Sequence, residues 1–301
     1  MSRSYGEALG AIAVMCLVPV LIKVTPADPW VVGTSRLVLA AALTWALLPR
    51  ARAWQGLTRR QLLALAAIGG IFGIHWMSYF WAIVLSTAQL ATIGVATYGL
   101  QLTVLGALIQ KEPVRSRHWL ALGMSLGGLL LVTQRIEAGG TALWGFLLAV
   151  FSGTCYALLP IIHQRARSLG NDLRTFGQYG FGLVAFSAVC WLGEWGSVVK
   201  VWPNLLFLGI VGTFVGHTLW VRATTSLPTT VSALLYYLYV PGACLVSFLV
   251  IGERLTWPQI GGTVLILAGS LLGILSRTTK AAGTPGNEAG APEPRPRPNG
   301  L

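Results

Sequence analysis

His75 and Tyr79 stand four residues apart in a long uncharged run, so a helix there sets both on one face. Thr97 and Gln101 repeat that spacing, with Tyr98 between them. Further along, Thr213, His217 and Trp220 follow one helical face, Tyr236 and Tyr239 another, and Tyr237 and Pro241 a third. Polar side chains in apolar helices are costly to bury and are therefore candidates for function. Aromatic faces with a few hydrogen-bonding groups suit an amphipathic organic solute better than a bare ion. Two histidines without an acidic neighbour fall short of the three or four ligands of a zinc site, so neither metal nor cofactor is expected. No nucleophile and base cluster together, which argues against an enzyme.

Arg36 is the sharpest single residue. It lies about two turns into an apolar run, roughly 10 Å along a helix from Pro29. The nine acids are Glu7, Asp28, Glu112, Glu137, Asp172, Glu194, Glu253, Glu288 and Glu293, and all fall in tails, loops or the ends of runs. Arg36 thus has no acid at its own depth. Its partner is a carbonyl, water or a substrate carboxylate, unless it snorkels to the surface; the sequence leaves these open. The candidate cavity set is His75, Tyr79, Tyr98, Gln101, His217, Trp220, Tyr237, Tyr239 and Arg36, against a packing role for the tyrosines and interhelical hydrogen bonds for the histidines. His118 and His163 are expected at the surface. Trp30, Trp54, Trp119, Trp144, Trp195, Trp202 and Trp257 are expected as interface anchors.

The elements that must hold these residues follow from composition. Of 301 residues, 54% are apolar and 10% charged, against about 25% charged in soluble domains. A helix needs roughly 20 apolar residues to cross a bilayer. Ten runs qualify: 6–24, 29–48, 61–82, 86–110, 118–135, 141–162, 173–193, 203–221, 228–251 and 257–276. The first is read as a retained helix, because it is longer than the apolar part of a typical signal peptide.

Charge orients them. With both termini cytoplasmic, the inner side carries Arg3, Arg50, Arg52, Arg59, Arg60, Lys111, Arg115, Arg117, Arg165, Arg167, Arg174, Arg222, Arg277, Lys280, Arg295 and Arg297. The outer side carries Lys23, Arg135, Lys200 and Arg254. That is a positive-inside pattern, so the net charge of +12 reflects topology and anionic lipid rather than nucleic acid. Cys16, Cys155, Cys190 and Cys244 fall within the runs, and no disulfide framework is expected.

The chain also repeats itself at a spacing near 141. Tyr98, Glu112 and Gly128 recur as Tyr239, Glu253 and Gly269, while Gly69-x-x-x-Gly73 with His75 recurs as Gly212-x-x-x-Gly216 with His217. Tyr5-Gly6 with Cys16 recurs as Trp144-Gly145 with Cys155. Five spans per half is an odd number, so the second half inserts upside down. Such inverted repeats are common in secondary transporters, which bind solute between the halves. The expected fold is an all-α membrane protein of ten transmembrane helices, in two five-helix inverted-topology repeats. Its units are 1–136, 137–276 and a disordered cytoplasmic tail, 277–301.

In these motifs the chain resembles the EamA-type repeats of the drug/metabolite transporter superfamily. The resemblance rests on Ala82 to Gly128 and Ala223 to Gly269. Each has a short polar link, Lys111-Glu112-Pro113 or Gly252-Glu253-Arg254-Leu255, followed by a Gly-rich helix. Arg36 fits the family's pattern. Pro241 stands where the second copy expects a helix proline, and the first copy has Leu100 there. The aromatic content is most similar to the aromatic amino acid exporter branch. The resemblance implies export of amino acids, aromatic or other amphipathic ones, and related small metabolites by alternating access. The alternative is a broad-specificity exporter of drugs or other small organic metabolites. No acid lies within the bundle, so transport runs down the solute gradient or a histidine handles protons. Glu112 and Glu253 are expected to cap helices in the links. The setting is a cell membrane, the bacterial inner membrane; the partners are a small molecule and lipid, and the oligomeric state does not follow from the sequence.

Overall fold

A computed structural model describes residues 2–47, 54–86, 91, 94–132, 140–252, 254 and 256–281. Ten helical rods run through them: α1 (Ser2–Lys23), α2 (Pro29–Leu47), α3 (Arg59–Leu85), α4 (Gly94–Gln110), α5 (Ser116–Val132), α6 (Thr141–Arg165), α7 (Asn171–Phe186), α8 (Trp195–Ser226), α9 (Thr229–Ile251) and α10 (Trp257–Ala281). No strand occurs among the described residues. Six rods (α1, α2, α3, α6, α8 and α9) are long and apolar enough to cross a membrane.

Local chemistry sets the ends. Thr58 and Gln61 form a reciprocal capping box that starts α3, the Thr58 amide donating to Gln61 Oε1 at 2.9 Å. Thr256 and Gln259 repeat the amide contact at 2.7 Å ahead of α10. Asp28 Oδ1 accepts from the Trp30 amide at 2.7 Å, and Pro29 fills the first position of α2, where its missing N–H costs nothing. At the other ends, Lys111 and Gly252, 141 residues apart, both take the left-handed conformation that closes α4 and α9.

Several boundaries differ from the sequence expectation. α8 starts at Trp195, eight residues before Pro203, because a 3-10 turn at Trp195–Ser197 and the first α-helical turn from Val198 form ahead of the proline. Within α8 the stretch Leu208–Val215 is π-helical. α7 ends at Phe186 rather than 193, and a 3-10 turn at Cys190–Leu192 follows. α10 continues to Ala281, past the expected start of the tail at 277; residues 282–301 lie outside the described part.

Packing places the rods in exchanged pairs. α3 packs on α6 and α7, while α8 packs on α1 and α2; α4 packs on α6, and α9 on α1. α5 packs on α10, α4 on α9, and α2 on α7. The exchange extends to residues. A Cβ at Gly128 would meet the Gly262 carbonyl at 2.5 Å, and one at Gly269 would meet the Ala121 carbonyl at 2.7 Å. Both members of the second pair stand 141 away from their counterparts in the first. α5 and α10 therefore touch backbone to backbone, which only glycine permits.

The outer surface of the bundle is apolar. Leu63, Val84, Leu108, Leu143, Val184, Leu249 and Val264 are all more than half exposed. Soluble monomers rarely leave so much contiguous apolar surface in water, whereas hydrocarbon chains cover it without cost. Trp119, Trp144, Trp195, Trp202 and Trp257 are exposed as anchors would be. Trp30 and Trp54 are not: Trp30 is buried against Trp81, Phe186 and Phe80, at ring distances of 5.3, 6.1 and 6.3 Å, and Trp54 is half-buried against Phe176 and Trp45, at 5.5 and 6.4 Å.

Candidate substrate-binding site

The centre of the bundle is an aromatic cluster drawn from both halves. His75 on α3 lies flat on Tyr156 of α6, with centroids 4.6 Å apart and planes 14° from parallel. Tyr98 on α4 meets Tyr156 at 4.7 Å and Tyr236 of α9 at 4.5 Å. Trp220 on α8 and Tyr239 on α9 extend the chain from Tyr236, at 5.7 and 5.9 Å. His217 on α8 closes it, 6.2 Å from Tyr156, 5.5 Å from Phe72 and 6.1 Å from Trp76. Offset and tilted pairs of this kind are favoured by the ring quadrupoles.

Hydrogen bonding fixes the His75 tautomer. Its Nδ1 lies 3.0 Å from the Ser152 carbonyl and 2.8 Å from the Ser152 hydroxyl, which donates back to the His75 carbonyl at 2.8 Å. A carbonyl oxygen can only accept, so Nδ1 carries the proton and Nε2 of the neutral ring is an acceptor. Other polar groups here are unsatisfied. The Tyr98 and Tyr156 hydroxyls and the Trp220 indole N–H are buried without a hydrogen bond of normal geometry, the Trp220 N–H standing beside the Tyr98 hydroxyl. Buried polar atoms are nearly always paired, and orphans clustered at one place call for an explanation.

Arg36 stands at the edge of the cluster and is 6% exposed. Its Nε donates to the Thr213 hydroxyl at 2.8 Å, and Thr213 donates to the Leu208 carbonyl at 3.0 Å. That side-chain bond reaches five residues back, within the π-helical stretch Leu208–Val215. Tyr179 on α7 donates to the Thr213 carbonyl at 3.2 Å. The Arg36 guanidinium carbon sits 4.6 Å over the Trp76 ring, a cation–π contact.

Of the residues read from sequence, the structure brings together His75, Tyr79, Tyr98, His217, Trp220, Tyr239 and Arg36. It does not bring Gln101 or Tyr237 into the same cluster. Gln101 donates to the Val150 carbonyl at 3.2 Å, at the α4–α6 contact. The Tyr237 ring lies against Gly99, at the α4–α9 contact. Tyr156, Tyr179, Tyr236, Phe72 and Trp76 are members that the candidate set lacked. The expectation of surface histidines is corrected: His118 is 3% and His163 1% exposed. His163 Nε2 pairs with Gln178 Oε1 at 2.8 Å across α6 and α7, while its Nδ1 is buried without a hydrogen-bond partner.

Below the aromatic cluster, Tyr156, His163, Gln178, His217, Trp220 and Thr224 line a cavity of about 10 Å³, room for about one water molecule. Beyond it, the end of the bundle rich in arginine is closed by polar links. Gln110 donates to Gln164 at 2.6 Å, and Gln164 donates to the Thr224 and Leu227 carbonyls at 2.7 and 3.0 Å. Both Glu112 carboxylate oxygens accept from the Thr229 amide, and one accepts from its hydroxyl at 2.7 Å. Glu112 thus caps α9 from the α4–α5 link. Glu253 lies outside the described residues. Arg174 donates to the His163 carbonyl, the Thr225 hydroxyl and Asn171. Among the described residues no group of three potential metal ligands forms.

An all-helical bundle with an apolar coat, a buried aromatic centre and polar closure at one end defines a multi-pass membrane carrier. The profile of the EamA-like transporter family matches residues 5–134 and again 143–275, and the chain belongs to that family. An uncharacterized transporter from Archaeoglobus fulgidus is 27% identical over 215 residues, which is 71% of this chain and 76% of that protein. A probable biotin transporter from Pseudomonas aeruginosa is 24% identical over 244 residues, 76% of this chain and 82% of that protein. A solved crystal structure superimposes with a TM-score of 0.78 at 17% identity, covering 93% of this chain and 99% of the other, a likeness of fold.

Proposed function

We propose that this transporter exports amino acids, with aromatic and other amphipathic ones favoured, and related small metabolites from the cytoplasm of a bacterial cell by alternating access. The observation that carries this reading is the meeting of His75 and Tyr98 from one half with His217 and Tyr239 from the other, around hydroxyl and indole groups without hydrogen bonds of normal geometry. An amphipathic solute entering there supplies hydrogen bonds to those groups and apolar surface to the rings. The aromatic groups are packed on one another, so admission of such a solute requires helices to separate. Both termini lie in the cytoplasm in this reading, and the two halves are opposed in the membrane. The positive-inside arginines support the first point, and the exchanged helix contacts the second. Movement runs down the solute gradient or is loosely linked to protons through His75 or His217. A monomer suffices for the central site.

A broader reading, export of varied small organic metabolites, is favoured by one finding: a relative of similar length is named for probable biotin transport. Efflux from loaded proteoliposomes separates the two. The panel is Phe, Trp, Thr, Lys and biotin. Efflux of Phe and Trp ahead of the others supports the amino acid reading, while absence of efflux for every amino acid removes it. The variants Tyr98→Ala, Tyr239→Ala and His75→Ala should lower efflux with the fold kept. Normal efflux by all three would place the solute elsewhere.

A further inference from the structure

Arg36 is a buried charge whose hydrogen bonding is incomplete. A guanidinium has five N–H donors, and among the described residues only Nε is used, by the Thr213 hydroxyl. The groups around its charge are the hydroxyls of Tyr79, Tyr179 and Tyr239 and the imidazole of His217, and the Trp76 ring covers one face. No carboxylate pairs with it among the described residues. An arginine inside a membrane protein pairs with an opposite charge or faces a pathway.

The fixed geometry also says which edge is left. Thr213 holds the Nε side, and Thr213 is itself held by its bond to the Leu208 carbonyl in the π-helical turn and by the Tyr179 hydroxyl on its carbonyl. What remains is the terminal fork, Nη1 and Nη2. Two parallel N–H donors on that fork match the two oxygens of a carboxylate. The aromatic cluster begins beside it, with Trp76 lying between Arg36 and His217.

We infer that Arg36 is the carboxylate-reading group of this transporter, and that its solutes are organic monocarboxylates held by the terminal guanidinium fork with their apolar bodies against the aromatic cluster. The inference rests on the transport reading above and narrows its substrate class. It includes zwitterionic amino acids and carboxylates without an amine, and excludes the corresponding amides and amines. Thr213 is a positioning residue, acting through Arg36.

The full-length chain in proteoliposomes tests this with two acid and amide pairs: phenylalanine with phenylalaninamide, and biotin with biotinamide. Wild type should favour each acid by at least about tenfold in kcat/KM, the scale of a charge-assisted hydrogen-bond pair. Arg36→Gln should abolish that preference mainly by raising KM for the acids. Arg36→Lys should restore part of it, since the charge returns without the fork. Thr213→Val should weaken acid recognition severalfold while preserving the charge. Equal handling of acid and amide by wild type, or a retained acid preference in Arg36→Gln, overturns the inference and leaves transport intact. Radiolabelled acid binding to the protein in detergent covers loss of folding or of flux. Binding of wild type that the amide fails to displace upholds the carboxylate site even if none of the four solutes is moved, in which case the transport reading falls. Neither binding nor flux of either acid overturns both.

Discussion

Tyr98 concentrates the question at the residue scale, because its hydroxyl is buried without a hydrogen bond of normal geometry, beside the Trp220 indole and next to two other aromatic rings. An orphaned hydroxyl costs about 1–3 kcal/mol relative to a satisfied one. Tyr98→Phe is therefore expected to melt at the same temperature or slightly higher. Its efflux should nonetheless show a severalfold higher KM, because the solute loses a hydrogen bond. A detergent melting curve and an efflux series measured on one preparation check both halves; a higher melting point with unchanged efflux would make Tyr98 a packing residue. Ser152→Ala acts through a neighbour. It removes the hydroxyl beside His75 Nδ1 and leaves the carbonyl as acceptor, so a stability loss of about 1 kcal/mol is expected. Sequence spacing found His75, Tyr98, His217 and Tyr239 because each has a counterpart one repeat away. Tyr156 and Tyr179 escaped because the positions 141 before them, Met15 and Val38, carry no such group. Their mid-span hydroxyls were the available signal.

Helix contacts carry the predictions at the element scale. On α3, a Cβ at Gly69 would overlap the backbone carbonyl of Gly177 and the side chain of Phe181 on α7, whereas one at Gly70 meets nothing within 4 Å. Gly69→Ala should lower stability by about 1–3 kcal/mol, the usual cost of overpacking, and Gly70→Ala should be neutral. Adjacent residues with opposite outcomes in a melting assay would confirm which face α3 turns to α7. Glu112→Ala removes the acceptor for the Thr229 amide and hydroxyl. A lost N-cap costs about 0.5–2 kcal/mol, and here it also frees α9 from the α4–α5 link. The capping role of Glu112 was legible from its place in a polar link. Its recipient, 117 residues on, was not, since only packing of α4 on α9 brings the two together. The π-helical turn at Leu208–Val215 was also invisible, because its sequence reads as an ordinary apolar helix.

For the whole molecule, the polar closure at the arginine-rich end ties α4, α6, α8 and the α8–α9 link through Gln110 and Gln164. Alternating access requires those ties to break. In a background with the four native cysteines replaced, Gln110→Cys with Gln164→Cys and a short thiol cross-linker should stop efflux. Each single variant should remain active under the same reagent. Continued efflux by the cross-linked protein would mean that this end does not open. In the proposed inverted arrangement of the halves, one helix end is a closure and its counterpart a different surface. Gln110 corresponds to Ile251 at the spacing of 141, so the two ends are chemically unequal although the helix contacts exchange.

Charge scarcity, apolar run length and the recurring motifs were enough to read a membrane bundle of ten helices and the family to which it belongs, because a bilayer constrains every span in the same way. They also isolated Arg36, since an ionised group among apolar residues is conspicuous in a linear chain. What it faces is a matter of tertiary structure. The Thr213 bond that leaves only the terminal fork joins residues 177 apart, and the aromatic centre joins six helices. Such contacts depend on the rotation of each rod about its axis, which is set by the shape of its neighbours and not by its own periodicity.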